Sequence, residues 1–406
     1  MQVQWEKRFA HRVQQMKSSA IRELLKVTEQ PEMISFAGGL PAPEVFPIER
    51  VEVATRKVLA ERGEQALQYG ATEGYRPLRE LLAQRMSQGN LRLTAENVLI
   101  VSGSQQALDL LGKIMIDPGD SIVVEAPTYM GALQAWNAYG ARYVTVLADE
   151  HGMQTDHLEE VLQQNPKYIY VLPNFQNPTG VTLTEGRRRT LVQQARRYGV
   201  PIVEDDPYAE LRFEGKHLPS LLMLEGEQQE EVYQGNGIYL GTFSKTMAPG
   251  MRLGWVIAPS EVISRLVQAK QGVDLHTASF TQMIAYEMLK DGFLDEHVHE
   301  IRRVYRERRD AMLAALEEYF PEEVKWTHPE GGMFLWVTLP EGSDATELLR
   351  QAVERNVVFV PGESFYPNGG GRNTLRLNYS HDEPERIREG IRRLGRVLHR
   401  SFVQSQ

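Results

Sequence analysis

Between about residues 60 and 260 the chain alternates short, continuously apolar runs with helical patterns, and this alternation limits the fold more than any other feature. The run NVLIVSG (97–103) leads into SQQALDLLGKIM, DSIVVEAPTY (120–129) into MGALQAWNAYG, and KYIYVLPN (167–174), through a turn, into EGRRRTLVQQARRYG; VPIVEDDPY (200–208) follows. Strands this short and apolar, with helices between them, build βαβ units around a buried parallel sheet. Long helical patterns then fill about 260 to 320, after which EVKWTHPEGGMFLWVTLP, VVFVPGESF and NTLRLNYS come grouped before a last helix, EPERIREGIRRLGRVLHRSF. Strands gathered in this way predict a second, smaller α+β unit. The expected division is an N-terminal arm with part of the small domain over 1–60, a large domain over 61–295 and a small domain over 296–406. The arm carries a charged helical pattern and then the Gly/Pro-rich SFAGGLPAPEVFP (35–47), expected to run extended against the small domain or a neighbouring subunit.

What the chain lacks narrows its function. Its 406 residues are 42% hydrophobic, enough for a large core and a smaller one, and include no cysteine. That excludes disulfides, a thiolate nucleophile and a Cys-ligated zinc, and fits a cytoplasmic setting. A net charge of −9 argues against nucleic acid or an acidic membrane as partner. The arginine-rich IRRVYRERRD (301–310) alternates with apolar residues at helical spacing and reads as a solvated helix face. The N-terminal MQVQWEKRFAHRVQQMKSSAIRELLKV is broken by charge and has no apolar signal core, and no apolar run approaches the roughly 20 residues of a membrane span. There is no GxxxxGK[ST] loop, no GxGxxG turn after a strand, and no HExxH spacing, so neither a nucleotide nor a metal is expected.

In open α/β sheets, ligands gather at the carboxyl ends of the strands, and here those ends are polar. Ser102, Gly103, Ser104 and Gln105 follow NVLIV, where a tight turn into a helix offers free N–H groups to an anion; helix capping by a serine is the plainer alternative. In GIYLGTFSKTMAPGMRLGW (237–255), Thr242, Ser244 and Arg252 bring hydroxyls and a guanidinium near Lys245, whose ammonium is costly to bury. Asn177 in FQNPTG is set at a turn by the proline after it. Asp205 in EDDPY ends an apolar strand, three residues before Tyr208. An amine, an anion cradle and an acid able to hold a protonated pyridine are what a phosphorylated aldehyde requires, and that cofactor is pyridoxal 5′-phosphate. Arg376 lies between Leu375 and Leu377 on a strand pattern, so it points away from both, free for a carboxylate ligand or an internal ion pair.

These segments, with SSAIRELLKV, ALQYGATEGYRPLRE, EAPTYMGA, AKQGVDLHT and GGMFLWV, resemble the fold-type I aminotransferases of class I/II over almost the whole chain. The resemblance is greatest to the subgroup acting on 2-aminoadipate and kynurenine. It implies an α/β fold, with a mostly parallel seven-stranded sheet in the large domain and a smaller α+β domain, in a homodimer that shares its active sites. It implies ping-pong transfer of an amino group from an L-amino acid to 2-oxoglutarate. The expected donor is 2-aminoadipate, with glutamate, aromatic or branched amino acids as others; an aromatic or branched-chain aminotransferase, or a lyase, is the alternative.

The resemblance also carries roles to single residues. Lys245 matches the lysine that forms an imine with the cofactor and moves the substrate proton, Asp205 the partner of the pyridine nitrogen, and Tyr129 the aromatic over the ring. Asn177 and Tyr208 match the residues on the phenolic oxygen. Ser104, Gln105, Ser244 and Arg252, with Thr242, match the phosphate cradle, and Tyr69 a tyrosine reaching the phosphate from the other subunit. Arg376 matches the clamp on the substrate's α-carboxylate, near Asn177 and Gly39, and Arg22 an arginine facing an acidic side chain. One regulator family carries a similar domain behind a DNA-binding unit, for which the thirty-odd residues before SFAGG are too few.

Overall fold

The computed structural model describes residues 3–15, 32–227, 229 and 231–404. Arg22 and the helical pattern around it lie outside them. Of the arm, the described parts are two short 3-10 helices, Trp5–Lys7 and His11–Gln15, and then the stretch that opens with β1 (Ile34–Ser35).

The alternating region folds as one sheet. Its strands are β2 (Val98–Val101), β3 (Ser121–Ala126), β4 (Arg142–Asp149), β5 (Gly152–Met153), β6 (Ile169–Val171), β7 (Ile202–Asp205), β8 (Gly237–Thr242) and β9 (Gly254–Ile257), in the order β2-β9-β8-β7-β6-β3-β4-β5. Every residue of β2, β6, β7, β8 and β9 is buried, which is why these runs are apolar without alternation. Each such Val, Leu or Ile contributes on the order of 1.5–3 kcal/mol by leaving water. Seven strands match the expected sheet, and the two-residue β5 adds an eighth at its edge, folded back antiparallel on β4. Among the seven, β9 alone runs against its neighbours, lying between β2 and β8. The carboxyl ends of β2, β3, β6, β7 and β8 therefore share one rim with the amino end of β9.

The later strands form their own antiparallel sheet, β10 (Lys325–Trp326), β11 (Phe334–Thr338), β14 (Thr374–Asn378) and β13 (Val360–Pro361), in that order. β1 pairs in parallel with β12 (Val357–Val358), so this stretch of the arm lies against the second region, whereas the helix Ile48–Leu67 shares a core with Met283, Ile284 and Ala285. Arg376 on β14 stands opposite Trp336 and Val360, with Leu375 and Leu377 facing the other way.

The helix Phe293–Tyr319 corrects one expectation. Arg308 and Arg309 of IRRVYRERRD are buried, not solvated. Arg308 donates to the Ser380 carbonyl at 2.6 Å and to the carboxylates of Glu44 and Glu383; Arg309 donates to the Pro329 carbonyl at 2.9 Å and pairs with Glu214 and Asp310. The forked guanidinium satisfies carbonyls at loop ends, which periodicity along one helix does not reveal. Among the described residues no helix is long and apolar enough to cross a membrane.

Candidate active site

A cavity of about 320 Å³ opens at the shared strand rim. Its walls contain Gly39, Ser104, Gln105, Tyr129, Asn177, Asp205, Tyr208, Thr242, Ser244, Lys245, Arg252 and Arg376, so twelve residues singled out along the sequence meet in one place. Tyr69 does not: its side chain is 80% exposed, edge-on to His276.

Each residue arrives by a short local route. β2 ends in Ser102 and Gly103, and the helix Ser104–Met115 begins at once. Gly103, not a serine, is the N-cap, with φ +85° and no side chain to cap the helix, so the first N–H groups are left for another acceptor. Glycine suits that left-handed φ, and a Cβ there would also sit 2.7 Å from Nη2 of Arg252 and displace it. Arg252 donates to the carbonyls of Ser102 (3.2 Å) and Pro249 (3.1 Å), spanning the gap between β2 and β9. Thr242 Oγ1 lies 3.0 Å from Ser244 Oγ and 3.1 Å from the Leu253 carbonyl, so its single proton has acceptors inside the protein and it braces Ser244.

Lys245 leaves the end of β8, and its Nζ donates to the Gly39 carbonyl at 2.6 Å. Burial, reinforced by Arg376 and Arg252, lowers its pKa to about 8. Asp205 closes β7: Oδ2 accepts from the Tyr170 hydroxyl at 2.8 Å, while Oδ1 is buried with no hydrogen-bond partner. Burial pushes this carboxyl up to about 7. A buried acceptor without a donor is unfavourable, so Oδ1 calls for an N–H from a ligand. The adjacent Glu204 and Asp206 are taken up elsewhere, Glu204 by the N–H groups of Leu221 and Leu222, Asp206 by Asn174 and Ala209. Among the described residues no cluster has the makings of a metal site.

Arg376 is 1% exposed and has no carboxylate partner among the described residues. Nη1 donates to Asn177 Oδ1 at 2.7 Å, Nη2 to the Ala37 carbonyl at 2.5 Å, and Nε is buried without a partner. The rings of Phe334 and Phe365 flank the guanidinium at 4.3 and 5.2 Å, and burial lowers its pKa to about 10, which leaves it charged at neutral pH. Burial raises the phenols of Tyr129, to about 12, and Tyr208, so both remain protonated donors.

Three residues escaped the sequence reading. Tyr170, Phe334 and Phe365 looked like ordinary core aromatics. The spacing of Tyr170 on β6 and Asp205 on β7 was uninformative without the register, which pairs Tyr170 with Val203 and so sets Asp205 on the same face, two residues on.

A doubly wound sheet with an acid oxygen lacking a donor, a desolvated amine and an anion-ready turn at one rim matches the class that the comparisons give, a transferase of fold-type I. The chain belongs to the aminotransferase class I and II family, whose model matches residues 32–394. It is 49% identical over 395 residues to a 2-aminoadipate transaminase of Thermus thermophilus, covering 97% of both chains. It is 48% identical over 401 residues to aromatic-amino-acid aminotransferase 1 of Thermococcus litoralis, covering 97% of this chain and 94% of that one. Among solved structures it superposes, with a TM-score of 0.92 and 48% identity, on the Thermus thermophilus α-aminoadipate aminotransferase complexed with N-(5′-phosphopyridoxyl)-L-leucine, covering 99% of this chain and 100% of that one.

Proposed function

We propose that this aminotransferase uses pyridoxal 5′-phosphate in the strand-rim cavity to move the amino group of L-2-aminoadipate to 2-oxoglutarate. The observation that carries the reading is the pairing, in one cavity, of a Lys245 amine lowered to about 8 with an Asp205 oxygen that lacks a donor. The residues fit the cofactor. Asp205 Oδ1 would take the ring N–H, Asn177 and Tyr208 the phenolic oxygen, and the Ser104–Gln105 helix end, Ser244 and Arg252 the phosphate. When bound, the cofactor supplies an electron-withdrawing ring that acidifies the substrate's Cα–H.

The protein's own groups do the rest. Arg376, charged and without an acid partner among the described residues, clamps the α-carboxylate; the Phe334 and Phe365 rings pack against the guanidinium. Lys245 Nζ would take the proton from Cα and return it to the carbon on the far side of the amino nitrogen, the cofactor's C4′, a task suited to an amine with a pKa near neutrality. Tyr129 contributes an aromatic wall. The amino group stays in the site when the first 2-oxo acid leaves and passes to 2-oxoglutarate in the return half. The exposed Tyr69 serves the phosphate of a second copy, which makes a homodimer with shared sites part of this reading, in a cytoplasmic setting.

The cationic side chains lining the cavity, among the described residues, are Lys245, Arg252 and Arg376, and each has a role already. For a distal carboxylate the reading takes Arg22, the arginine that the resemblance sets against an acidic side chain. The similarity to an aromatic-amino-acid aminotransferase, with Leu108, Leu172 and Phe334 in the wall, favours apolar donors as the second reading.

An absorbance spectrum of the protein with pyridoxal phosphate tests both. The expected result is a visible, Lys245-dependent band that bleaches with L-2-aminoadipate and regenerates with 2-oxoglutarate, with Arg22→Ala losing the response to acidic donors alone. A band answering only to phenylalanine or leucine would transfer the assignment to apolar donors, and no lysine-dependent band would overturn it.

A further inference from the structure

Lys270 takes no part in the chemistry above, yet its side chain is 0% exposed. It closes the helix Ser260–Gln271, and Nζ donates to both oxygens of Asp274, at 2.7 Å each, and to Gln106 Oε1 at 2.9 Å. Gln106 uses both ends of its amide: Nε2 donates to Asp274 Oδ2 at 2.7 Å, and Oε1 accepts the Ser102 N–H at 2.8 Å. The Ser102 hydroxyl lies 3.4 Å from Asp274 Oδ2 and 3.4 Å from Thr277 Oγ1. Since the Ser102 carbonyl accepts from Arg252, the peptide groups on both sides of this residue are fixed. Ser102 is the hinge between β2 and the Gly103 turn that starts the helix Ser104–Met115.

A buried ion pair is poor evidence of stabilisation, because desolvation offsets much of the attraction; its best attested use is to select one geometry. Here the Lys270 side chain is wholly enclosed and Asp274 is 27% exposed, and the chain of bonds from the pair ends on the backbone of the phosphate-facing turn. We propose that the Lys270–Asp274 pair, acting through Gln106, is a positioning device that sets the Ser102–Gly103–Ser104 turn for a phosphate group. Neither residue touches the ligand. The inference rests on the reading of this cavity as the pyridoxal phosphate site, and it adds residues that the strand ends themselves do not contain.

The test compares pyridoxal 5′-phosphate with pyridoxal, which lacks the phosphate, by titrating cofactor-free protein and following the absorbance. The ratio of the two dissociation constants isolates the phosphate. The parent's preference for the phosphorylated form tests the cofactor reading, and its loss in variants tests the pair. Gln106→Leu keeps the ion pair and cuts its link to the Ser102 N–H, leaving only the 3.4 Å approach of the Ser102 hydroxyl to Asp274; Lys270→Met/Asp274→Leu replaces the pair with apolar side chains of similar size. In both, the ratio is expected to fall at least tenfold, with pyridoxal affinity within about twofold of the parent and the melting temperature of Gln106→Leu nearly unchanged. A ratio kept in Gln106→Leu would overturn the proposal, as would equal loss of affinity for both ligands. A parent without the preference would overturn the cofactor reading and this inference with it.

Discussion

Lys245 and Lys270 are two amines held inside the same protein in opposite ways. Lys245 meets a backbone carbonyl and stands near two guanidiniums; Lys270 meets a carboxylate and an amide oxygen. Burial lowers the proton affinity of both. At Lys270 the bond to Asp274 and its charge oppose that shift, whereas at Lys245 Arg376 and Arg252 add to it and the pKa reaches about 8. Burial alone therefore does not mark a reactive amine; the sign of the neighbouring charge does.

The contrast breaks most visibly by deletion. Lys245→Ala is expected to abolish the visible band and to lower turnover by about 10⁴-fold or more, since in the proposed function it removes both the covalent anchor and the proton carrier. Lys270→Met should keep a band at saturating cofactor. Equal losses of band and turnover in the two variants would erase the distinction.

A smaller effect lies on Asp205, the acid that lines the same cavity as Lys245. Tyr170→Phe removes a hydrogen bond that favours ionised Asp205, worth roughly 1.5–3 kcal/mol for a charged acceptor, so the carboxyl rises further and kcat falls about tenfold. The absorbance titration of the bound cofactor should shift with it, which a packing defect behind Trp136 would not produce.

The smallest effect reads the comparison directly. With a pKa of about 8, roughly one Lys245 in ten is neutral at pH 7, against about one in three thousand for an ordinary lysine. The neutral amine is the reactive form, so labelling of Lys245 by an acylating reagent in cofactor-free protein should rise with pH through a midpoint near 8, measured by peptide mass spectrometry. Arg252→Gln removes a like charge and should move the midpoint upward. A midpoint near 10.5 in the parent would mean that the two lysines do not differ as described.

Much of the rim was legible because chemistry there follows strand ends. NVLIV, IVVEA, YIYV, PIVED and IYLGT each became a buried strand, and the polar residues just beyond them reached the cavity. Strand order was not legible. Nothing in GWVI states that β9 slips antiparallel between β2 and β8, yet that insertion brings Arg252 beside Gly103. Tyr170 and Phe334 were hidden for the same reason, since their roles depend on which strand is the neighbour. Lys270 and Asp274 carried a readable signal, an i,i+4 pair of opposite charge, but such pairs are common on exposed helix faces and burial was not visible in the pattern.

The extended segment after β1 holds the cavity through main-chain atoms alone: the Ala37 carbonyl on Arg376 and the Gly39 carbonyl on Lys245. Residue-by-residue replacement would score these positions only for how well a new side chain packs, and would leave both contacts in place. Their contribution would surface instead when the segment is lengthened or shortened by one residue, which shifts the carbonyls out of register with the two cations. In comparisons of related sequences, constancy of spacing here should carry more information than constancy of letters.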